Sequence, residues 1–493
     1  MTLHIVFRFT VELKHCNQKY RIAEKEKLMF SKSFYRFSIS LASCFMVVLL
    51  AACGSQAATG STPAPTSNTP TTAASSSGAT PTKVPVTTPV TTTVPEPPTL
   101  SSCPASGTAR AAVMAPLALG SHANIVYIVN QFQSQASSAG TLKRYNVSSG
   151  AKAEIVTLPN TLISDAQVSA DGQWILFVAV ASGQAKLQLI RMDGRGLQTL
   201  YCATPPANGA DPSSAIDNLQ WTTDQKIVAF ESYTNRGNIV YLLKMQSGNL
   251  VTEFLAPRGS VDYRPVTWLD NTRLYLRGLN ADGPSFAFYL LDTSKGANQT
   301  FSSLKLIYDA GSGCSCGDFD SSYDGQQMDI VSYTTDPSAG GPGIGSIHGP
   351  STVSTRPAAG GPSTTILTSP NMAFTTIRVV SQNTILLIVN NSGTGAGADT
   401  SHNGLWKMRA DGTGLTRLTS VGGGVSAGPA SLNQYNQYPW SNISRDGGLY
   451  ALQQNGGNQN VSLLNGSLNG GNPTTFASIA DGTQLSIVGW TTM

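Results

Sequence analysis

Ser169-Ala170-Asp171-Gly172-Gln173-Trp174-Ile175-Leu176-Phe177-Val178 sets an Asp-Gly turn directly against an apolar, β-branched run. That order reads as a hairpin corner followed by a buried strand. The phrase returns as TTDQKIVAF around Asp224, WLDNTRLYL around Asp270, SYDGQQMDIV around Asp324 and SRDGGLYAL around Asp446, with a diverged copy, VSQNTILLIV, around Gln382. Successive copies lie 46 to 64 residues apart, which fits four short strands plus loops. No long amphipathic helical pattern interrupts them, so the chain reads as an all-β repeat array of propeller type.

A second phrase supports the same unit. Ile190–Leu200 (IRMDGRGLQTL) parallels Met408–Thr419 (MRADGTGLTRLT), each a strand, a Gly-assisted tight turn and a closing strand. Together the two phrases resemble the TolB-like, WD-like β-propeller repeat. The resemblance covers roughly 122–493, strongest over 165–201 and 373–419 and weakest over 310–370. It implies a propeller and, by fold analogy, protein–protein recognition. The α/β domain that precedes the propeller in TolB is absent, so TolB's envelope partners are not carried over.

Inner strands are expected at Ala166–Ser169, Asn218–Thr222, Pro265–Leu269, Gly317–Ser322, Phe374–Val380 and Pro439–Ser444, with a seventh at Leu485–Trp490. The first repeat begins instead with NIVYIVN (Asn124–Asn130), which reads as a second strand. The C-terminal strand is therefore expected to complete the N-terminal blade and close a ring of seven. The ambiguous stretch 310–370 leaves six or eight as alternatives. Trp221, Trp268, Trp440 and Trp490 fall on inner strands, where they are expected to pack between blades.

The stretch before the repeats carries an address. Residues 29–53 read MFSKSFYRFSISLASCFMVVLLAAC: Lys32 and Arg36 precede an apolar core of about 14 residues, too short for a permanent span, which needs roughly 20. Its end, Leu50-Ala51-Ala52-Cys53-Gly54, resembles the lipobox of bacterial lipoproteins, in which the signal is cut before a cysteine whose thiol takes a diacylglycerol. Residues 1–28 are expected to be a misassigned extension, 29–52 a lipoprotein signal peptide and Cys53 the lipidated residue. From Gly54 the chain is nearly all Ser, Thr, Pro, Ala, Gly and Val, so 53–103 is expected to be a disordered linker and 104–493 the propeller. The expected location is the extracytoplasmic side of a bacterial cell membrane, held by the lipid anchor, with a single-membrane host favoured by the long stalk.

Charge excludes one class of partner. Of 31 Lys and Arg, eight precede Cys53; of 27 Asp and Glu, three do, so the remainder is close to neutral. A body without a positive field is not expected to bind nucleic acid. A monomer is expected.

Candidate chemistry is sparse. Beyond Cys53, the exported cysteines Cys103, Cys202, Cys314 and Cys316 are disulfide candidates with three possible pairings. Cys314 and Cys316, two apart, are badly placed to bond each other, so outward pairing is expected. Asp318, Asp320, Asp324 and Asp329 suggest a calcium loop, with Asp320 first and Gly325 sixth. Val331 then stands at position twelve, where a bidentate Glu belongs, and Asp324-Gly325 reads better as the repeat's own turn. Gly424-Val425-Ser426-Ala427-Gly428 matches a nucleophile elbow without its strand–helix context. His122, His348 and His402 have no metal-like spacing. No catalytic residue, metal site or cofactor is assigned.

In a propeller the first-to-second and third-to-fourth turns share one face, here built of tight Asp-Gly turns. Long connections fall on the other: 131–140, 203–216, 309–316, 335–343, 391–403 and 420–437. Loops of variable length on a rigid scaffold build recognition surfaces, so a protein partner is expected there. The alternatives are a glycan-cleaving propeller enzyme, needing two carboxylates about 5–10 Å apart (with Asp211, Asp262, Asp282 and Asp399 as loop acids), and a small-ligand capture or sensor lipoprotein.

Overall fold

The first blade closes the ring. In it β27 (Gln484–Thr492) pairs with β1 (Ala123–Ser134), followed outward by β2 (Ser137–Asn146) and β3 (Lys152–Pro159). The closing pair is antiparallel, from Ala123 opposite Thr492 to Asn130 opposite Gln484, with a bulge between Val126 and Tyr127. These are the two strands that the sequence left without blades of their own. The computed structural model describes residues 102–105, 107, 117–134, 137–203, 215–234, 237–256, 262–279, 286–309, 315–322, 324–337, 344–392, 399–419, 443–455 and 461–493.

The other blades follow in chain order. The second is β4 (Leu162–Val168), β5 (Trp174–Ala181), β6 (Gln184–Arg191) and β7 (Gln198–Cys202); the third is β8 (Asp217–Trp221), β9 (Ile227–Thr234), β10 (Gly237–Lys244) and β11 (Asn249–Leu255). The fourth is β12 (Asp262–Trp268), β13 (Arg273–Leu279), β14 (Phe286–Asp292) and β15 (Lys305–Asp309); the fifth is β16 (Ser315–Ser321), β17 (Gln327–Pro337), β18 (Ile344–Pro357) and β19 (Thr364–Ser369). The sixth is β20 (Phe374–Ser381), β21 (Thr384–Val389), β22 (Gly404–Arg409) and β23 (Thr416–Arg417), and the seventh contains β24 (Leu449–Asn455), β25 (Val461–Ser467) and β26 (Thr474–Ser478). Ile443, bridged to Tyr450, marks the seventh blade's inner strand. The chain is thus a seven-bladed propeller, and the stretch 310–370 contributes one complete blade.

Apolar layers between neighbouring blades hold the ring together. Strands buried on both faces need continuous apolar runs, and Ile175 to Ala179 of β5 are all buried, the even members facing the third blade and the odd ones the first. At the closing seam, Tyr127 and Tyr145 pack on Phe476 with ring centroids 5.4 and 4.8 Å apart, beside the buried Trp490. Phe319 fills the layer between the fourth and fifth blades, 3.9 Å from Phe288 and 5.5 Å from Tyr275. Trp221 and Trp268 lie in the layers on either side of the third blade, as expected for inner-strand tryptophans; Trp440 lies outside the described residues.

The recurring turn is one hydrogen-bond pattern repeated. Ser169 Oγ donates to Asp171 Oδ1 (2.5 Å) and accepts from Trp174 N (3.0 Å), while Asp171 Oδ1 accepts from Gln173 N (3.0 Å) and Gly172 N donates to Ser169 O (2.8 Å). Thr222/Asp224, Ser322/Asp324 and Ser444/Asp446 repeat the set. A side chain that satisfies its own backbone makes the corner independent of the rest of the fold.

One connection departs from the expectation that this face carries only tight turns. Between β14 and β15 the chain makes a twelve-residue excursion, Thr293–Leu304, with two short 3-10 turns. Gln299 bridges to Phe254 on the edge of the third blade, donating through its backbone N to Glu253 O and accepting at its own O from Leu255 N. The strap covers backbone groups that an outer strand would otherwise expose for pairing.

Candidate functional site

The connection face carries the sequence-predicted recognition loops, but their tips, 135–136, 204–214, 310–314, 338–343, 393–398 and 420–442, lie outside the described residues. Asp211, Asp282 and the Gly424–Gly428 motif lie there as well. The base of the 391–403 loop is clamped: Asn391 N donates to Asn403 Oδ1 (2.7 Å), and Asn403 Nδ2 returns a bond to Asn391 O (2.8 Å). Asp399 caps the short turn Thr400–His402 and meets His402 Nδ1 at 3.2 Å.

Five large apolar side chains are exposed among the described residues: Phe132, Leu255, Phe301, Leu306 and Ile479. Three lie toward the connection face, and Phe301 sits on the strap that runs along the third blade. Phe132 stands near the tip of the β1–β2 hairpin, where its backbone N–H donates to Thr483, and Ile479 sits on the link from β26 to β27. Leu255 ends β11, and the Phe301 ring is 5.9 Å from that of Tyr263, which begins the next inner strand.

The acidic residues that suggested a cation loop serve other ends. Inner strands expose one edge to the central channel, and its N–H groups need acceptors. Asp165 Oδ2 and Gln167 Oε1 accept from Leu219 N (3.0 Å) and Trp221 N (2.9 Å) of the next blade. Asp318 Oδ2 and Asp320 Oδ2 do the same for Ile377 N (3.2 Å) and Val379 N (2.9 Å). Aligned on the Ser-x-Asp-Gly turn, Asp165 corresponds to Asp318 and Gln167 to Asp320. These side chains are struts between blades. Asp324 belongs to its turn, and Asp329 stands opposite Asp320 in the β16–β17 pair. Among the described residues, no three His, Cys, Asp or Glu side chains converge as metal ligands.

Burial raises three of the buried acids, Asp320, Glu253 and Asp329. It pushes Asp320 up to about 7, against the opposing pull of Arg378 and the Val379 N–H, and it pushes Glu253 up to about 7, against the hydrogen bond from Gln299 (2.7 Å). The unfolded chain releases these protons near pH 4, so between about 4 and 7 the folded protein holds more protons than the unfolded one. Stability must then fall as pH rises through that window. Turn carboxylates such as Asp270 and Asp446, held below their ordinary value chiefly by turn hydrogen bonds that outweigh desolvation, act oppositely and only below about 4. Denaturant midpoints are therefore expected to peak near pH 4–5 and decline toward pH 8, and Asp320→Asn should flatten part of that decline. An unchanged slope in Asp320→Asn would refute the assignment to this group.

The tight-turn face has a gap where the chain ends. In the first blade, the corner between inner and second strands is replaced by the two ends of the ring, Thr492 and Ala123. Arg445, from the seventh blade's turn, spans the gap: its Nη2 donates to Ser169 O (3.0 Å) and Ala170 O (2.6 Å) of the second blade. Thr491 donates to Gly172 O (2.7 Å) from below. Beside this seam the face opens into a cavity of about 670 Å³, whose walls include Trp268, Asp320, Lys407, Arg445 and Asp446.

Of the cysteines, Cys103 is bonded to Cys202 at the end of β7, with Cα atoms 5.7 Å apart and 99 residues between them in sequence. The link fastens the end of the Ser/Thr/Pro-rich stretch to the second blade. Cys53 and Cys314 lie outside the described residues, and Cys316 stands in β16 opposite Tyr333. No helix among the described residues is long and apolar enough to cross a membrane.

No family model matches the chain, and no curated protein does. Solved structures match its fold. TolB from Acinetobacter baumannii aligns at 13% identity and a TM-score of 0.37, over 59% of this chain and 61% of that one. A prolyl endopeptidase aligns at 10% and 0.46, over 74% and 50%. The β-propeller domain of the Trilobed protease from Pyrococcus furiosus aligns at 10% and 0.43, over 72% and 97%. The chain spans about three fifths of the TolB structure and half of the endopeptidase.

Proposed function

We propose that this chain is a lipid-anchored, extracytoplasmic binding module that engages a protein partner through the connection face of its propeller. The observation that carries the reading is the exposure of Phe132, Ile479 and Leu255 toward the face that also bears the long loops. Exposed aromatic and aliphatic side chains grouped on one face of a soluble body mark association surfaces. The opposite face is built mainly of self-satisfied turns, so variation in loop length on the connection face leaves the scaffold intact. Cys53, at the end of its lipobox-like stretch, supplies the anchor, and the Ser/Thr/Pro-rich segment to Cys103 supplies reach; two or more acyl chains hold stably because each buried methylene contributes about 0.8 kcal/mol.

The test places a photo-cross-linking residue at Phe132, at Ile479 or, on the turn face, at Thr223 of the full-length protein in its native envelope. A discrete protein adduct from the first two positions and none from Thr223 is the expected result, with the adduct lost in Phe132→Asp. Equal labelling from both faces would refute the surface assignment. Separately, Cys53→Ser should move the protein from the membrane fraction to the soluble one.

A further inference from the structure

The cavity on the turn face lies opposite the proposed partner surface and is built differently from its surroundings. Its volume of about 670 Å³ falls within the range of small-molecule sites. Two cations line it. Lys407 Nζ makes one hydrogen bond, to Leu468 O (2.7 Å), and Arg445 gives only Nη2 to the seam carbonyls, leaving Nε buried without a partner. Among the described residues neither is ion-paired.

The acids nearby offset them only in part: Asp171 acts on Arg445, and Asp446 is an anion held ionised by its turn. Asp446 Oδ1 is taken by the Ser444 hydroxyl (2.5 Å) and Gly448 N (3.1 Å). Asp320 is turned into the strut to Val379 and is itself resistant to ionisation because it is buried. The cavity therefore sets two cations against the Asp446 carboxylate, with Asp171 acting on Arg445 from the seam, and Lys407 is the cation that no carboxylate pairs among the described residues. Its walls also carry the hydroxyls of Thr267, Ser321 and Thr384, none of which is hydrogen-bonded within the described protein. Trp268 completes the site: its Nε1 is fixed to Gln220 O (3.1 Å), and its ring is only partly covered.

We infer that this cavity binds an acidic sugar, a pyranose of one or two rings bearing a carboxylate. Each part of the ligand meets a matching part of the wall. The carboxylate faces Lys407, where charge-assisted hydrogen bonds are the strong ones. The sugar hydroxyls meet three unengaged Ser and Thr hydroxyls that can donate or accept. The C–H face of the ring lies on the Trp268 indole, an amphipathic surface suited to it. A neutral sugar leaves Lys407 without a counter-charge, so charge sets the preference.

The experiment uses the full chain in detergent, titrated with D-glucuronate and, in parallel, with D-glucose, followed by calorimetry and tryptophan fluorescence. Saturable binding of glucuronate, weakened by added salt, with glucose at least tenfold weaker, is expected. Lys407→Met should weaken glucuronate about tenfold, the loss of one charge-assisted bond, and Lys407→Arg should restore most of it. Trp268→Phe should reduce both the affinity and the fluorescence response. No saturable binding to folded protein, equal binding of glucose, or unchanged affinity in Lys407→Met would each overturn the inference. Should Lys407→Met lower the thermal midpoint, the salt dependence of the unmutated protein decides: affinity that ignores salt overturns it as well.

Discussion

Gly412→Ala and Gly194→Ala are each expected to destabilise the propeller by about 3 kcal/mol or more, whereas Gly183→Ala should lose only about 1–2. All three glycines have positive φ, +84° for the first two and +78° for Gly183, so an L-residue is strained at each. They differ in what surrounds them. A Cβ on Gly412 would lie 2.1 Å from Ile366 O, and one on Gly194 would lie 2.4 Å from Ile155 O. Both oxygens belong to the outer strand of the preceding blade, β19 or β3. Ile366 and Ile155 are each the bulge residue of their strand, so relief of the clash requires the outer strand itself to shift away from the neighbouring blade. Gly183, at the β5–β6 corner, has nothing within 4 Å. The comparison isolates the blade-to-blade clash from the backbone penalty, and urea unfolding of the three variants measures it. Gly412→Ala unfolding at the same midpoint as Gly183→Ala would show that the blades tolerate the gap.

These two glycines explain why the second repeat phrase was visible. Asp193-Gly194 and Asp411-Gly412 recur because the third-to-fourth turn must pass under a neighbouring strand, a demand that each such blade imposes on its own short segment. The first phrase was visible for a similar reason: the Ser169–Asp171 bonds close within five residues. Ring closure was legible from a mismatch, a first blade starting at its second strand and a last inner strand with no blade to follow. What stayed hidden acts between blades. Asp318 and Asp320 read as an acid cluster because their acceptor roles face residues 59 positions away. Superposing Asp165-x-Gln167 on Asp318-x-Asp320 could have shown the shared role, since Gln is a poor calcium ligand but a good acceptor. Arg445 looked like an ordinary turn residue, its partners lying 275 and 276 residues back. Gln299 gave no sign that it would bind Glu253 of the previous blade.

The strut at Asp318 makes the sharper energetic test, because it is also half of a buried ion pair. Arg378 Nη1 lies 2.8 Å from Asp318 Oδ2, with both side chains at 5% exposure or less, and it also donates to Ile377 O. Its Nε and Nη2 have no partner. A guanidinium so placed depends chiefly on Asp318 for its compensation, with Asp320 acting at longer range. Asp318→Ala removes that charge and the acceptor for Ile377 N together, and an uncompensated buried charge costs about 3–5 kcal/mol. Replacing both partners is a different matter. Asp318→Asn keeps an acceptor for Ile377 N, and Arg378→Leu removes the charge that needed pairing. A buried pair exchanged for well-packed groups of similar volume is often neutral, so the double variant is expected within about 1–2 kcal/mol of the unmutated protein. A double-mutant cycle in urea at pH 7 separates the terms. Additive losses would mean that the pair contributes no coupling and that the fifth and sixth blades are held by their apolar layer alone. A strong rescue would instead show that the ion pair's role is positional, fixing which edge atoms of β20 face the channel beside the cavity.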